Sequence, residues 1–221
     1  MSIGDKEDKL FKKWSANRKG FVADGIVDEE SYLNSSLKIM FVLKEVNDPD
    51  GGDWDLREFL RKGARSQTWN NVTRWILGIQ NIEKSINWKE IQEITKEQRK
   101  EYLKSICAIN LKKSPGGHTT DNNELSQVAN EDKIFLNEQF GIYCPDLVIC
   151  CGSVVSRLFH NLVEFSEKPD WKMTKRGIWY HVYQSNRYVI EYSHPEARAA
   201  DCLLYYGLVD AIREISNLYN K

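Results

Sequence analysis

The residues best suited to chemistry follow a short apolar segment near the start of the chain. Residues 37–43 (LKIMFVL) have the length and composition of a buried strand, and the polar sequence KEVND comes directly after them. That sequence contains Glu45, Asn47 and Asp48. Ligands of open α/β sheets bind where parallel strands end at their carboxyl side, so a carboxylate here could stabilise a cation or orient a water. A solvated loop with ordinary acids would have the same composition, and the residues alone leave both alternatives open.

Polar residues also mark three later strand ends. Asn110 lies in the second apolar run (ICAIN), Gly152-Ser153 follows the third (LVICC), and His194 begins the segment HPEAR after a final strand pattern. Because parallel strands end at one edge of a sheet, we expect these residues to lie near Glu45. An amide offers a donor and an acceptor, and a helix start with glycine suits a phosphate. Structural roles compete with these, since a buried asparagine often holds a loop and a histidine beside a proline can cap a helix.

Strand and helix patterns alternate along the chain. Apolar runs of strand length lie at 37–43, 106–111 and 147–151, and residues 180–192 have the pattern of a hairpin or two short strands. Helical spacing predicts helices near 55–60, 68–79, 87–103, 125–140, 153–159 and 199–219. The alternation predicts one α/β domain over residues 1–221, a three-layer α/β/α sandwich around a mainly parallel, roughly four-stranded sheet. Residues 1–36 are predicted to be a helical extension packed on that domain.

Composition limits the class of protein and of partner. The net charge is -1 at pH 7, so binding to nucleic acid would need basic residues gathered on one face, as in residues 104–118 or 168–187. The first residues lack the apolar core of a signal peptide, and no apolar run approaches a membrane span, which predicts a cytoplasmic protein without membrane contact. The cysteines have no CxxC spacing, which favours buried thiols and predicts no metal site.

Four segments, taken in order, resemble the motifs of the uracil-DNA glycosylase superfamily. They are KEVND, INLKKSPGG, ICCGSVVSRLF and SHPEAR, and the resemblance covers residues 37–208. It is nearest to the bacterial members whose first loop reads Gly-Glu-Ala-Pro-Gly. Lys44 stands where that loop has glycine, and Val46-Asn47-Asp48 stand in place of Ala-Pro-Gly, so the resemblance bears on the reaction more than on the target base. The iron-sulfur cysteines of those relatives have no counterpart here, so we predict no cluster and no cofactor.

The resemblance implies catalytic roles for the first and last of these motifs. Breaking an N-glycosidic bond builds positive charge on the deoxyribose and negative charge on the departing pyrimidine. Glu45 matches the loop carboxylate that would stabilise the sugar cation or orient the attacking water, with Asp48 in reserve and Asn47 beside them. His194 matches the motif histidine that would donate a hydrogen bond to the leaving base.

The resemblance also implies residues that bind the flipped base and the surrounding DNA. Asn110 would read the Watson–Crick edge of the pyrimidine, and Trp69 would stack on it, with Phe59 and Trp54 as alternatives. The predicted DNA contacts are Gly152 and Ser153 to a phosphate, Arg198 to the opened duplex or a phosphate, and Lys112, Lys113 and His118 to the flanking strand.

These expectations lead to one function and three alternatives. The leading function is a monofunctional DNA glycosylase that acts as a monomer, removes uracil or another altered pyrimidine and leaves an abasic site. The first alternative is a defence glycosylase that excises a bulky modified cytosine, such as glucosylated hydroxymethylcytosine, from phage DNA. The others are a non-catalytic DNA-binding protein of the same fold and a small-molecule enzyme with Gly152-Ser153 as a phosphate cradle. A Gly-x-Ser-x-Gly elbow is absent, which argues against a serine hydrolase.

Overall fold

A seven-stranded mixed sheet forms the centre of the computed structural model, which describes residues 1–48, 51–117, 119–184 and 186–219. The four central strands are parallel, and the strands at both margins are antiparallel to their neighbours. In spatial order they are β1 (Gly25–Ile26), β3 (Ile106–Asn110), β2 (Ile39–Leu43), β4 (Leu147–Cys151), β7 (Arg187–Tyr192), β6 (Trp179–Gln184) and β5 (Lys172–Met173). The predicted α/β class with a parallel central sheet is confirmed, whereas the predicted number of four strands is wrong.

The three additional strands are the antiparallel ones, β1, β6 and β5. Both β1 and β5 contain only two residues, and a hydrophobic period needs several residues to be visible in a sequence. β6 pairs with β7 in the hairpin that residues 180–192 predicted. The sheet is therefore wider than the apolar runs alone indicate.

Helices cover both faces of the sheet. Ile39 and Phe41 of β2 point into one hydrophobic cluster with α4, α6 and α10, while Met40 and Val42 point into another with α1, α8 and α9. Within the described residues the helices are α1 (Ile3–Trp14), α2 (Glu29–Asn34), α3 (Leu56–Arg61), α4 (Ser66–Gln80), α5 (Trp88–Ile91), α6 (Lys96–Leu103), α7 (Asn122–Glu131), α8 (Lys133–Tyr143), α9 (Ser153–Leu162) and α10 (Asp201–Tyr219). None of these helices is both long enough and apolar enough to span a membrane.

Two of the predicted helices are each divided into two. Residues 87–103 form α5 and α6 because Thr95 begins a new helix, in which it exchanges side-chain and backbone hydrogen bonds with Gln98. The stripe predicted over residues 125–140 is divided at Asp132, whose fully buried carboxylate is paired with Arg18. Polar residues in both stripes thus act as local helix boundaries.

The first 36 residues are part of the domain's core. In α1, Leu10 and Trp14 are completely covered by the rest of the protein. β1 pairs antiparallel with β3, and Gly25 lies opposite Ala108. This segment therefore adds a strand to the sheet in addition to the predicted helical structure.

The parallel strands bring the polar loops to one edge. Leu43 at the end of β2 lies opposite Asn110 at the end of β3. The segments that follow β2 and β3 stay paired beyond the sheet. Lys112 N–H donates to the Lys44 carbonyl across 2.9 Å, and Gly116 N–H donates to the Val46 carbonyl across 2.9 Å. The loops after β2 and β3 therefore form one connected wall.

Candidate active site

A cavity of about 450 Å³ opens at the carboxyl edge of the parallel strands. The loop after β2, the end of β3, helices α3 and α4 and the loop after β7 supply its walls. Its lining includes all the residues predicted to act in catalysis or to bind the base: Glu45, Asn47, Asp48, Phe59, Trp69, Asn110 and His194. The tertiary structure thus brings together side chains from four separate parts of the sequence, and their chemical roles remain predictions.

Glu45 places a nearly buried carboxylate at this cavity. Its side chain is 5% exposed, and Oε2 lies 2.8 Å from Nζ of Lys112, which is also 5% exposed. The same ammonium lies 2.8 Å from Oε1 of Glu124 at the surface. Burial alone would lower the pKa of Lys112, but its hydrogen bonds to Glu124 and Glu45 outweigh that effect and raise it. Lys112 is therefore a cation at neutral pH and compensates the charge of Glu45.

The backbone of the second loop presses directly on this carboxylate. A Cβ atom added to Gly116 would overlap the carboxylate oxygens of Glu45. Any side chain at position 116 would therefore require the carboxylate of Glu45 to move. The neighbouring Gly117, which also lines the cavity, has open space around the corresponding position.

His194 faces the cavity as a neutral hydrogen-bond donor. The backbone N–H of Glu196 donates to its Nδ1 across 3.1 Å. Since a backbone N–H can only donate, Nδ1 accepts, and the neutral ring carries its proton on Nε2. Burial lowers the pKa of His194, as do the nearby cations Lys44 and Arg65, while Glu196 acts in the opposite direction. A neutral imidazole with Nε2–H is suited to stabilise a developing anion.

Asn110 offers the cavity an amide that no other described residue engages. The residue is 3% exposed, and both of its peptide groups are bonded: its N–H donates to Asp24 Oδ2 across 2.7 Å and its carbonyl accepts from Lys113 Nζ across 2.8 Å. Its side chain lines the cavity and forms no hydrogen bond within the described part of the chain. The amide therefore has a donor and an acceptor available for a ligand.

Three aromatic side chains line the cavity. Trp69, on α4, is 5% exposed and belongs mainly to the core. Phe59, on α3, packs edge-on against Trp54 with 5.8 Å between ring centroids, and both of these rings are half-buried. Because they are less enclosed than Trp69, Phe59 and Trp54 present more ring surface to a ligand.

Asp48 holds the loop after β2 in place. Its Oδ2 accepts hydrogen bonds from Trp54 Nε1 across 2.9 Å and from Gly52 N–H across 3.1 Å. Asn47 is exposed and forms a bridge with Gly116. Asp48 therefore holds its own loop through two neutral donors, whereas Glu45 brings a nearly buried carboxylate paired with a cation to the cavity, which makes Glu45 the better candidate for a catalytic carboxylate.

The cavity residues that were not recognised in the sequence include three polar ones that contact one another. Glu196 lies in the loop after His194 and accepts a hydrogen bond from the Thr68 hydroxyl at the start of α4. Arg65 Nη2 lies 3.5 Å from the same carboxylate. Glu196 stands within the SHPEAR motif and could have been noticed there, whereas Arg65 and Thr68 have no distinguishing pattern.

The predicted DNA contacts fall into two groups. Gly152, with φ +111°, precedes α9, and its N–H donates to the Tyr192 carbonyl at the end of β7 across 2.7 Å. The exposed Ser153 and Arg198 lie at the ends of β4 and β7, where the cavity also opens. This first group is therefore accessible to a ligand on that edge.

The two lysines of the second group are not accessible. Lys113 is completely buried, with its Nζ 2.7 Å from Oδ1 of Asp24, so its predicted contact with DNA is wrong. The prediction fails for Lys112 as well, because its nearly buried ammonium is already paired with two carboxylates. His118 lies outside the described residues.

Among the described residues, no group of three or more His, Cys, Asp or Glu side chains could hold a metal ion. Cys107, Cys150 and Cys151 are buried thiols in β3 and β4, as their apolar runs predicted.

Comparison of the sequence with protein-family models and with curated proteins found no match. The case for a function therefore rests on the geometry of the cavity.

Proposed function

We propose that this protein is a monofunctional DNA glycosylase that hydrolyses the N-glycosidic bond of a flipped pyrimidine nucleotide and leaves an abasic site. One observation carries the proposal: Glu45, Asn110 and His194 line a single cavity. The transition state of this reaction needs a carboxylate near the sugar cation and a hydrogen-bond donor near the leaving base. A buried carboxylate and a neutral imidazole supply that pair, and a free amide can select the base.

The size of the cavity supports a nucleoside as the ligand. Its volume of about 450 Å³ lies within the range of roughly 300–1,000 Å³ that is typical of small-molecule sites. This is more than a pyrimidine alone fills, and the surplus can take the deoxyribose or a substituent on the base. The same surplus favours a second candidate, excision of a bulky modified cytosine such as glucosylated hydroxymethylcytosine in defence against phage.

The surroundings of the cavity suit DNA as the partner. Ser153 and the open backbone at Gly152 lie at the start of α9, where backbone N–H groups favour a phosphate. Arg198 adds an exposed cation after the His194 loop. We propose that these residues hold the backbone of the DNA while a monomer of the protein receives the flipped nucleotide.

The proposal is tested with oligonucleotides that each carry one modified base. Uracil, hypoxanthine and glucosylated hydroxymethylcytosine are incubated with the protein, and abasic sites are cleaved with alkali. A unit charge about 4 Å away at an effective dielectric near 20 contributes roughly 4 kcal/mol, or roughly a thousandfold in rate, so Glu45→Gln should slow excision by about that factor. Glu124→Gln, which changes the exposed carboxylate on the other side of Lys112, is the matched control and should retain activity.

The outcomes separate the alternatives. Strand cleavage that depends on Glu45 and His194 supports a glycosylase, and the preferred oligonucleotide identifies the base. Salt-dependent DNA binding without cleavage of any substrate would instead identify a non-catalytic DNA-binding protein. Absence of salt-dependent binding would favour a small-molecule enzyme.

A further inference from the structure

We propose that Asp24 and Lys113 are positioning residues for Asn110, and that this buried ion pair sets how strictly the cavity discriminates between bases. The inference rests on the proposed function, in which the amide of Asn110 reads the base. It begins from a feature outside the cavity: neither Asp24 nor Lys113 lines it, and both side chains are completely buried.

The ion pair bonds to both backbone polar groups of Asn110, its N–H and its carbonyl. Asp24 Oδ2 accepts the Asn110 N–H across 2.7 Å, and Lys113 Nζ donates to the Asn110 carbonyl across 2.8 Å. The two charged groups are themselves joined, with Nζ 2.7 Å from Oδ1 and 2.8 Å from Oδ2 of Asp24. Asn110 is thus enclosed in a closed ring of charge-assisted hydrogen bonds.

This arrangement takes the place of a β1 strand that begins too late to reach Asn110. β1 pairs with β3 only at Gly25 with Ala108 and Ile26 with Cys107, so it stops short of Asn110. The carboxylate of Asp24, which directly precedes β1, accepts the N–H that a longer strand would have bonded. A side chain therefore completes the sheet at the position where the chain must also present an amide to the cavity.

A further layer of side chains fixes the pair itself. Gln139 on α8 accepts from Lys113 Nζ across 2.9 Å, donates to Asp24 Oδ1 across 2.8 Å and lies 3.1 Å from the Tyr143 hydroxyl. A Cβ atom on Gly25, which has φ +131°, would overlap both Tyr143 and Glu7. Gln139 thus bonds to both members of the pair and fixes their positions relative to α8.

Stability alone does not explain a buried ion pair at this position. Apolar residues of similar volume often stabilise a core equally well or better, because both charges must be removed from water. At this site the pair has a geometric effect, because its hydrogen bonds define the orientation of the two peptide groups that flank Asn110. A misplacement of these groups would move a base-reading amide without opening the cavity.

The test compares the double variant Asp24→Asn/Lys113→Met with the wild type. The double change removes both charges together and so leaves no buried charge uncompensated. We expect a folded protein in which the preference for the best substrate over unmodified cytosine falls at least tenfold, mainly through kcat. Arg18→Met/Asp132→Asn, which removes another ion pair that does not bond to Asn110, is the matched control and should keep the preference.

A second measurement is independent of catalysis. The side-chain amide resonances of Asn110, assigned by their loss in Asn110→Ser, should shift or broaden in the double variant and remain in place in the control. Unchanged resonances together with unchanged discrimination would overturn the inference. If the double variant does not fold, Asp24→Asn/Lys113→Gln, which also leaves neither charge behind, decides by the same two criteria.

The two proposals fail in different ways. If the wild type excises no base, the proposed glycosylase function fails, and the resonances of Asn110 still show whether the ion pair positions it. If the wild type is active and the double variant retains both its discrimination and its Asn110 resonances, only the positioning role fails.

Discussion

The backbone N–H of Glu196 lies 3.1 Å from Nδ1 of His194 and donates a hydrogen bond to it. This bond exists only while Nδ1 is unprotonated, so it selects the neutral ring with its proton on Nε2. The donor and the imidazole belong to the same short loop after β7, and the Glu196 side chain binds Thr68 on α4. The loop therefore holds both the orientation and the tautomer of the residue that we propose to face the leaving base.

Excision should depend on pH through His194. Burial chiefly lowers the pKa of His194 below its ordinary value of 6.5, so the neutral form predominates above that pH. We expect kcat to be level above about pH 6.5 and to fall in more acidic solution as the ring is protonated and the Glu196 bond is lost. In His194→Gln, which keeps a donor but cannot titrate there, the rate should be lower and this decline should disappear. A decline that begins above pH 6.5, or one that persists in the variant, would contradict this role.

Removing the cation beside Glu45 should destabilise the protein. Lys112→Met leaves the 5% exposed carboxylate of Glu45 without its partner. Loss of one partner from a buried pair costs about 3 kcal/mol or more in the free energy of unfolding, which urea denaturation would measure. Glu45→Gln/Lys112→Met should recover most of that loss, and Glu124→Gln, at the exposed end, should change stability by less than about 1 kcal/mol. Equal losses in the single and double variants would mean that packing, and not charge, is responsible.

Gly116→Ala should impair activity more than folding. The added methyl group would overlap the Glu45 carboxylate and displace it from the cavity wall. We expect kcat to fall about tenfold or more, since small displacements of a catalytic group reduce rates steeply. Gly117→Ala is the control, because the next glycine along has open space at that position. Similar kinetics for the two variants would show that Gly116 has no special relation to Glu45.

Acid should destabilise the fold through a second histidine site, which is not part of the cavity lining. His181 is completely buried, its ring centroid lies 4.7 Å from that of His160, and burial, followed by the influence of His160, lowers the pKa of His181 to about 4. The unfolded chain binds this proton more readily, so the contribution to stability is full above about pH 6.5 and is lost as the pH falls through 4.

This loss amounts to about 3 kcal/mol, from roughly 1.4 kcal/mol for each pH unit between the two pKa values. Urea unfolding at several pH values between about 7 and 4 would measure it. His181→Phe, which keeps a ring beside Phe165 and Trp171, should flatten the dependence on pH in that range. An identical slope in this variant would assign the effect to other groups.

The apolar runs allowed much of the fold to be predicted. Ile39–Leu43, Ile106–Asn110 and Leu147–Cys151 each lie within a run that had predicted a buried strand. Short strands and internal helix caps were missed because they carry too few residues for a period, as at Gly25–Ile26, or because one polar residue ends a helix, as at Thr95.

The sequence by itself determined that Glu45, Asn110 and His194 would meet, since each follows or ends one of the four strands that run parallel to one another, and parallel strands end at one edge. Only the tertiary structure decided what became of Lys112 and Lys113. Adjacent lysines in a loop resemble a DNA-binding surface. In the structure both are buried, Lys113 in an ion pair with Asp24, 89 positions away, and Lys112 in an ion pair with Glu45. The physical reason is that strand patterns are local, whereas the burial of a charge depends on which distant carboxylate the fold brings to it.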